Sequence, residues 1–295
     1  MASVIIPAHN EASVIGRCLI ALLADARPGE FDVVVVANGC SDATARIACE
    51  HAPTATIVQR HEPSKSAALN DGDSRASSYP RLYLDADVQV STETVRLVVD
   101  ALRSGALLAA PRLVVNLPGR PWLVKGWYGT WLRLPYASQN LVGSGFYGLS
   151  QAGRARFGEF PDTMADDFFV RSRFRDDERV VVEGAVMALD APYAVSGLLA
   201  ARTRVAGANR ADRGLFEASR AALRRNQVSA LWALGRHPRR WPSLTTYLTI
   251  EVLARGAALW SRRRPGASPW RRDESARRHA ARATAADAGT TGGRR

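Results

Sequence analysis

Lysine is almost missing from this chain: of its 40 basic residues, only Lys65 and Lys125 are not arginine. That skew is read as base composition of the coding DNA, not as function. Cysteine is scarce too. Cys18, Cys40 and Cys49 show no close-paired spacing, which argues against a disulfide framework or a zinc site and fits a reducing compartment. No apolar run reaches the roughly 18 residues that a membrane-spanning helix needs. The opening MASVIIPAHNE has no basic stretch, and Pro7 cuts its apolar run short, so the sequence predicts no signal peptide and a cytoplasmic protein. Tryptophan is absent before position 120, and all seven lie beyond it.

What is present is distributed unevenly. Residues 1–210 hold 22 basic and 22 acidic side chains, whereas residues 211–295 hold 18 against 6, so the entire net charge of +12 sits in the C-terminal part. Such asymmetry implies an anionic partner, a membrane leaflet or a nucleic acid, or else a solvated disordered arm. The length of 295 residues allows one large domain or two modest ones.

Four short apolar runs, SVIIP, FDVVVVA, ATIVQ and RLYLD, alternate with segments of helical spacing such as ASVIGRCLIALLADA and SDATARIACEHA. Continuous Val and Ile runs separated by amphipathic helices predict an α/β fold, a doubly wound, mostly parallel sheet covered on both faces. Ligands of such sheets bind outside the carboxyl ends of the strands. The stretch LYLDADVQV places Asp85 and Asp87 at that edge. On an extended backbone the two would face the same way, and such a like-charged pair calls for a cation.

Further along, PWLVKGWYGTWLRL reads as a helix, VGSGFYGLS as a glycine-rich turn, and MADDFFVRSRF as the opening of another helix. Trp122, Trp127 and Trp131 suit sugar stacking, a membrane interface or plain core packing. Residues 196–264 read as helices broken near Pro238 and Pro242. The last of them, LTTYLTIEVLARGAALW, carries Glu251 and Arg255 at i, i+4 and either packs on the rest of the protein or lies on an anionic membrane through residues 239–264. Beyond 275 the composition suggests disorder.

The order VIIPAHNE, VVVVANGCSD, KSAALNDGD, YLDADVQV, GSGFYGLS and ADDFFVRSRF resembles the family 2 inverting glycosyltransferases of the GT-A fold. The resemblance implies a catalytic domain over 1–210, a basic helical region over 211–275 and a disordered basic tail over 276–295. It implies a hexosyltransferase-type enzyme that moves a sugar from a UDP or GDP donor to a hydroxyl acceptor, lipid-linked or soluble, at the inner face of the cell membrane in cell-surface glycan or glycolipid synthesis. In the family, the DxD motif, here Asp85 and Asp87, holds a divalent cation, Mg²⁺ or Mn²⁺, against the donor diphosphate. Asp167 takes the place of the general base and Asp166 that of its acidic neighbour on the acceptor side.

By the same resemblance Pro7, Ala8, Asn10 and Glu11 lie along the nucleotide, although Glu11 also fits a simple first-turn carboxylate. Relatives commonly carry an Asp-Asp pair where this chain has Ala37 and Asn38, which leaves Asn38 to meet the base or ribose by hydrogen bonds. Lys65 and Asn70 fall near the donor, Lys65 against a phosphate or simply on the surface. Gly143 and Gly145 let backbone approach the ligand, and Arg202 and Arg204 meet the diphosphate or solvent. The Gln-x-x-Arg-Trp motif of polymer synthases is absent, which predicts a single addition.

Four rival readings make different demands. A nucleotidyltransferase shares the doubly wound fold but needs a glycine-rich basic signature that VIIPAHNE lacks. A glycoside hydrolase needs two separated carboxylates flanking the scissile bond. A nucleic-acid-binding module would use residues 211–295, yet no reading motif accompanies the charge, so no specific nucleic acid is expected. An inactive relative would keep the fold without turnover.

Overall fold

The computed structural model describes residues 1–138, 145–163, 165–211 and 217–261. Strand and helix alternate through β1 (Ala2–Ala8), α1 (Ile15–Leu23), β2 (Phe31–Asn38), α2 (Thr44–His51), β3 (Thr56–Arg60), α3 (Lys65–Arg75), β4 (Arg81–Leu84) and α4 (Thr92–Arg103). With β5 (Leu108–Asn116), β6 (Phe146–Leu149) and β7 (Arg179–Asp190) they form a seven-stranded sheet of order β3-β2-β1-β4-β6-β5-β7. β1 pairs in parallel with β2 and β4, and β2 with β3; β6 runs antiparallel to β4 and β5. The expected α/β architecture is therefore present, followed by helices.

Burial on both faces explains the apolar runs. Val4, Ile5 and Ile6 of β1 and Val33 through Val36 of β2 are all buried, successive side chains pointing to opposite sides of the sheet. α1 covers the sheet with Ile15, Cys18, Leu19 and Leu22, and α4 with Val95, Val98, Val99 and Leu102, each a stripe at helical spacing. The Ser91 hydroxyl accepts from the Thr94 N–H (3.1 Å) and fixes where α4 begins. The strand order reverses at β1, so the loops after β1 and β4 flank the crevice where such sheets take ligands.

Two local expectations give way. β4 ends at Leu84, and the Val88 N–H donates to the Asp85 carbonyl (3.0 Å), so Asp85 and Asp87 lie in a turn and period-two alternation does not apply to them. Phe146–Leu149, expected within a turn, is a strand, because β4 offers it a partner: Leu84 pairs with Phe146 and Leu82 with Gly148.

Contacts divide the chain into two compact units, Met1–Val114 with Gln139–Leu189, and Val115–Ser138 with Asp190–Arg295. This division follows packing, unlike a boundary at 210 drawn from motifs and charge. The first unit holds the sheet, α1 to α4 and the short helices α7 (Gln151–Arg154) and α8 (Asp166–Arg171). The second holds α5 (Trp122–Trp131), α6 (Pro135–Ser138), α9 (Val195–Ala211), α10 (Glu217–Gly235) and α11 (Trp241–Ser261). Its core gathers Val124, Trp127, Tyr128, Leu134, Leu198, Leu234, Tyr247 and Ile250. Trp127 stacks on Trp131 and Tyr247 with ring centroids 5.5 and 5.8 Å apart, whereas Trp122 is exposed. Pro242 sits in the first turn of α11, where its missing N–H costs no bond.

α3 crosses β1 and β2 at Gly72, where an added Cβ would lie 2.5 Å from Ile5 Cγ2 and 3.3 Å from Val36 Cγ2. Both neighbours are β-branched and stiff. Gly72→Ala is expected to lower stability by about 1–3 kcal/mol, measured as a reduced midpoint with unchanged slope in urea denaturation.

Candidate active site

The loop after β1 is tied to the loop after β2 along its whole length. The Cys40 thiol donates to the Ala8 carbonyl (3.3 Å), the Ser41 N–H to Asn10 Oδ1 (2.8 Å), the Glu11 N–H to Thr44 Oγ1 (2.8 Å) and the Ala12 N–H to Asp42 Oδ2 (3.1 Å). Asn10 is held at φ +53°, the left-handed region that a non-glycine residue adopts at a cost. Pairing of β1 with β4 ends at Ile5, so Pro7 stands beyond that ladder and is tolerated. Asn38 closes β2, its carbonyl bonded to His9 Nδ1 (2.6 Å) and its Oδ1 accepting from the Ser64 N–H (2.9 Å). The buried Asn38 side chain thus supports the start of α3.

Lys65 is the first residue of α3, a place that the helix dipole makes unfavourable for a cation. Carboxylates hold it there. Its Nζ lies 2.8 Å from Asp166 Oδ1 and 3.0 Å from Asp85 Oδ1. The cation called for by the acidic turn is therefore supplied within the chain, bridging Asp85 to Asp166. Burial opposes the Lys65 charge, but Asp166 and then Asp85 outweigh it and hold the ammonium well above the usual lysine range.

The carboxylates answer in kind. Burial pushes Asp166 upward, only partly offset by Lys65. Asp167, partly buried beside it, is pushed up to about 7 by burial and by the Asp166 charge, with Lys65 opposing. Its Oδ1 accepts from the Phe168 N–H (2.6 Å). Tyr147 Oη lies 3.5 Å from Asp166 Oδ2, and burial, then Asp166, keeps that phenol protonated. Beneath the acidic turn, the buried Cys18 thiol lies 4.0 Å from the Asp85 carbonyl and is pushed upward by burial and then by Asp87, Asp85 and Glu11.

The loop before α8 is clamped from α3. The Asn70 carboxamide takes the Phe160 N–H on its oxygen (2.8 Å) and gives its own N–H to the Phe160 carbonyl (3.1 Å). Phe157 packs edge-on against Phe169 of α8, and Thr163 Oγ1 accepts from the Ala165 N–H (3.0 Å) at the helix start. The Asn70 side chain thus braces the loop that carries Asp166 and Asp167. α3 is itself anchored through buried Asp73, which receives Tyr83 Oη (2.7 Å) and the guanidinium groups of Arg81 (2.7 Å) and Arg154 (2.6 Å).

Among the described residues, no group of three or more His, Cys, Asp or Glu side chains forms a ready metal cage. A hard divalent ion that shares its ligands with substrate phosphates does not need one. The donors present fit such an ion: Asp85 and Asp87 offer carboxylate oxygens at the strand edge. Gly145, at φ +75°, keeps the approach open, since a Cβ there would fall 3.0 Å from Asp85 Oδ2 and 2.7 Å from Val88 Cγ2. The Gly145 carbonyl also accepts from the Asp85 N–H (2.7 Å).

One structural unit thus brings together Glu11, Lys65, Asp85, Asp87, Gly145, Asp166 and Asp167. Gly143 lies outside the described residues. Arg202 and Arg204 belong to α9 of the second unit, where Arg202 pairs with buried Glu251 (2.8 Å) and lies over the Trp127 ring (5.1 Å). Sequence reasoning missed Tyr147 and Cys18. Tyr147 lies in the GSGFYGLS stretch, where only the glycines were singled out, and Cys18 lies in none of the stretches that carry the family resemblance; the pairing of β6 with β4 and the packing of α1 bring them in.

Comparison with known proteins bears on the family and the fold. The model of the family described as Glycosyl transferase family 2 matches residues 3–150, half of the chain. Glycosyltransferase AglE of Haloferax volcanii is 33% identical over 90 residues, which span 29% of this chain and 30% of that protein's length. Among solved structures, the mannosyltransferase PcManGT of Pyrobaculum calidifontis, in complex with GDP-Man and Mn²⁺, superposes with a TM-score of 0.55 at 20% identity, covering 98% of this chain and 79% of that one. Glucosyl-3-phosphoglycerate synthase of Mycobacterium tuberculosis, in complex with phosphoglyceric acid, gives 0.50 at 20% identity over 70% of this chain and 78% of its own. At such identities the two structures share the fold with this chain.

Two stability measurements test the charge cluster. Lys65→Met strands buried Asp166 and is expected to cost about 3 kcal/mol in denaturant titrations at neutral pH, and less in acid, where Asp166 takes up a proton. An unfolded aspartate titrates near 3.8 and folded Asp167 near 7. The folded state therefore binds the extra proton between these values, and the stability that Asp167 contributes is lost as pH rises through 7. Asp167→Asn should accordingly raise the melting temperature at pH 8 and change it little at pH 4; no difference between the two pH values would contradict the assignment.

Proposed function

The chain belongs to glycosyl transferase family 2, and from that membership we propose that it catalyses metal-dependent, inverting transfer of a single sugar from a UDP or GDP donor to a hydroxyl acceptor. The observation that carries this reading is the convergence of two acidic pairs on one ammonium. Asp85 from the turn after β4 and Asp166 from the start of α8 meet at Lys65, with the proton-hungry Asp167 beside them.

Each residue has a task suited to its surroundings. Asp167, whose affinity for a proton is raised by its setting, accepts the proton of the acceptor hydroxyl as that oxygen bonds to the anomeric carbon. The bond from the anomeric carbon to the diphosphate oxygen breaks on the opposite face, and its electron pair leaves with the nucleoside diphosphate. Asp85 and Asp87 would hold the divalent ion, Mg²⁺ or Mn²⁺, and when bound that ion supplies positive charge for the departing diphosphate. Lys65, within reach of the same edge, adds a second cation. Asp166 and Tyr147 shape the acceptor side, and the braced loop from Ala8 to Glu11 forms the floor under the nucleotide. A lipid-linked saccharide is among the acceptors this reading admits, and with it residence in the cytoplasm at the inner face of the membrane, with residues 239–264 toward the lipid.

The fold neighbour from P. calidifontis is described with GDP-Man and Mn²⁺, which makes that pair the first donor and ion to try. A panel of UDP and GDP sugars, with and without crude lipid extract, is expected to show ion-dependent release of one nucleoside diphosphate; release from none would refute the reading. Asp167→Asn should lower turnover by about 10²- to 10⁴-fold while leaving donor binding nearly unchanged. In the wild type, kcat/KM is expected to fall as pH drops through about 7, because the base must be unprotonated to act. A profile still flat down to pH 5 would assign the base elsewhere.

A further inference from the structure

The C-terminal helices leave an apolar face bare. α11 packs one side, with Tyr247, Ile250, Ala254 and Ala258, into the second unit. A helix with one face in the core turns polar residues outward when the other face meets water. α11 does not. At 100° per residue, Trp241, Leu248, Val252 and Leu259 fall within about 20° of a single line along the helix, and all four are exposed, Val252 at 66%. Trp260 widens the stripe, and Trp232 of α10 is 75% exposed. Arg255 is the only exposed charge on α11, and it leans toward Glu251 (3.8 Å).

The ends of the stripe carry aromatics and cations together. Trp241 follows Arg236, Arg239 and Arg240, all exposed, and Trp260 precedes the sequence Arg262-Arg263-Arg264. The two tryptophans are separated by about 28 Å at a rise of 1.5 Å per residue. No described helix is long and apolar enough to cross a membrane. A long exposed stripe with tryptophan at both ends and exposed arginines before its first turn suits a helix lying in the plane of a membrane surface.

Three other covers fit less well. A second copy meeting this face in parallel would set Arg236, Arg239 and Arg240 against their own counterparts. Residues 262–295 contain Trp270 as their only large apolar side chain, so they add charge and little apolar cover. A nucleic acid would use the arginines and leave the stripe wet. We infer that this face of α11, with Trp232 of α10, docks in the headgroup layer of an anionic lipid membrane. The inference stands on the second unit alone and does not depend on the glycosyl-transfer reading.

Co-sedimentation of the full chain with vesicles tests it. Binding is expected to vesicles of phosphatidylcholine with phosphatidylglycerol and to be much weaker with phosphatidylcholine alone, and brominated lipid should quench the tryptophan fluorescence. The variant Leu248→Gln, Val252→Gln, Leu259→Gln changes only exposed positions. It should keep the wild-type melting temperature and lose vesicle affinity by about tenfold or more, as expected when binding scales with buried apolar area. The proposal is overturned if the wild type stays in the supernatant with anionic vesicles, or if the triple variant binds as well as the wild type. A wild-type dimer in light scattering that the triple variant dissolves would overturn it too, because a second copy would then own the face.

Discussion

One ammonium group holds the acidic centre of this protein together. Asp85, Asp166 and Asp167 come from elements far apart in sequence, and like charges brought this close in a partly dry site repel unless a cation stands among them. Lys65 is that cation, and it stands at the start of a helix, where the backbone dipole works against it. Removing solvent from such a cluster costs several kcal/mol per ion, so its retention argues for a use other than stability.

The rest of the first unit reads as support for that arrangement. α3 has little apolar surface of its own; it is held by close approach at Gly72, by the Asp73 network and by Asn38 at its first turn. From there Asn70 fixes the loop that delivers α8. Lys65 and Asp167 are thus positioned by the same helix, one directly and one through a carboxamide clamp. The parallel strands add the other half, since β1 and β4 lie side by side where the strand order reverses, and the loops that follow them carry Glu11 and the turn with Asp85 and Asp87. A catalytic arrangement of this kind needs rigid backing more than it needs a deep apolar pocket.

Much of this was legible in the residues. Val and Ile runs such as VVVV have one economical fate, a strand buried on both faces, and β1 to β4 lie where those runs fall. The acidic residues of YLDADV and ADDFF were singled out by resemblance to the family's motifs, and the structure places them in the turn after β4 and at the start of α8. What escaped depended on pairing between distant segments. That Lys65 would bridge Asp85 to Asp166, that Asn70 would hold a backbone 90 residues away, and that Tyr147 would sit beside Asp166 are consequences of sheet order, which local periodicity does not encode. The division by contacts assembles one unit from two separate stretches of chain, an arrangement that neither motif order nor charge encodes. Of the two roles left open for the last helix, packing is seen on one face of α11, while the other face exposes Leu248, Val252 and Leu259.

The account as a whole turns on whether the acidic turn after β4 captures a nucleoside diphosphate through a divalent ion. Calorimetric titration of GDP and of UDP into the protein, with Mn²⁺ and again with chelator, measures this without any acceptor. The account predicts that one of the two binds only with the ion present, and that replacing Asp85 and Asp87 together with asparagine abolishes that binding while the melting temperature is kept. Nucleotide binding that is equally strong with chelator, or that survives the double replacement, would contradict it.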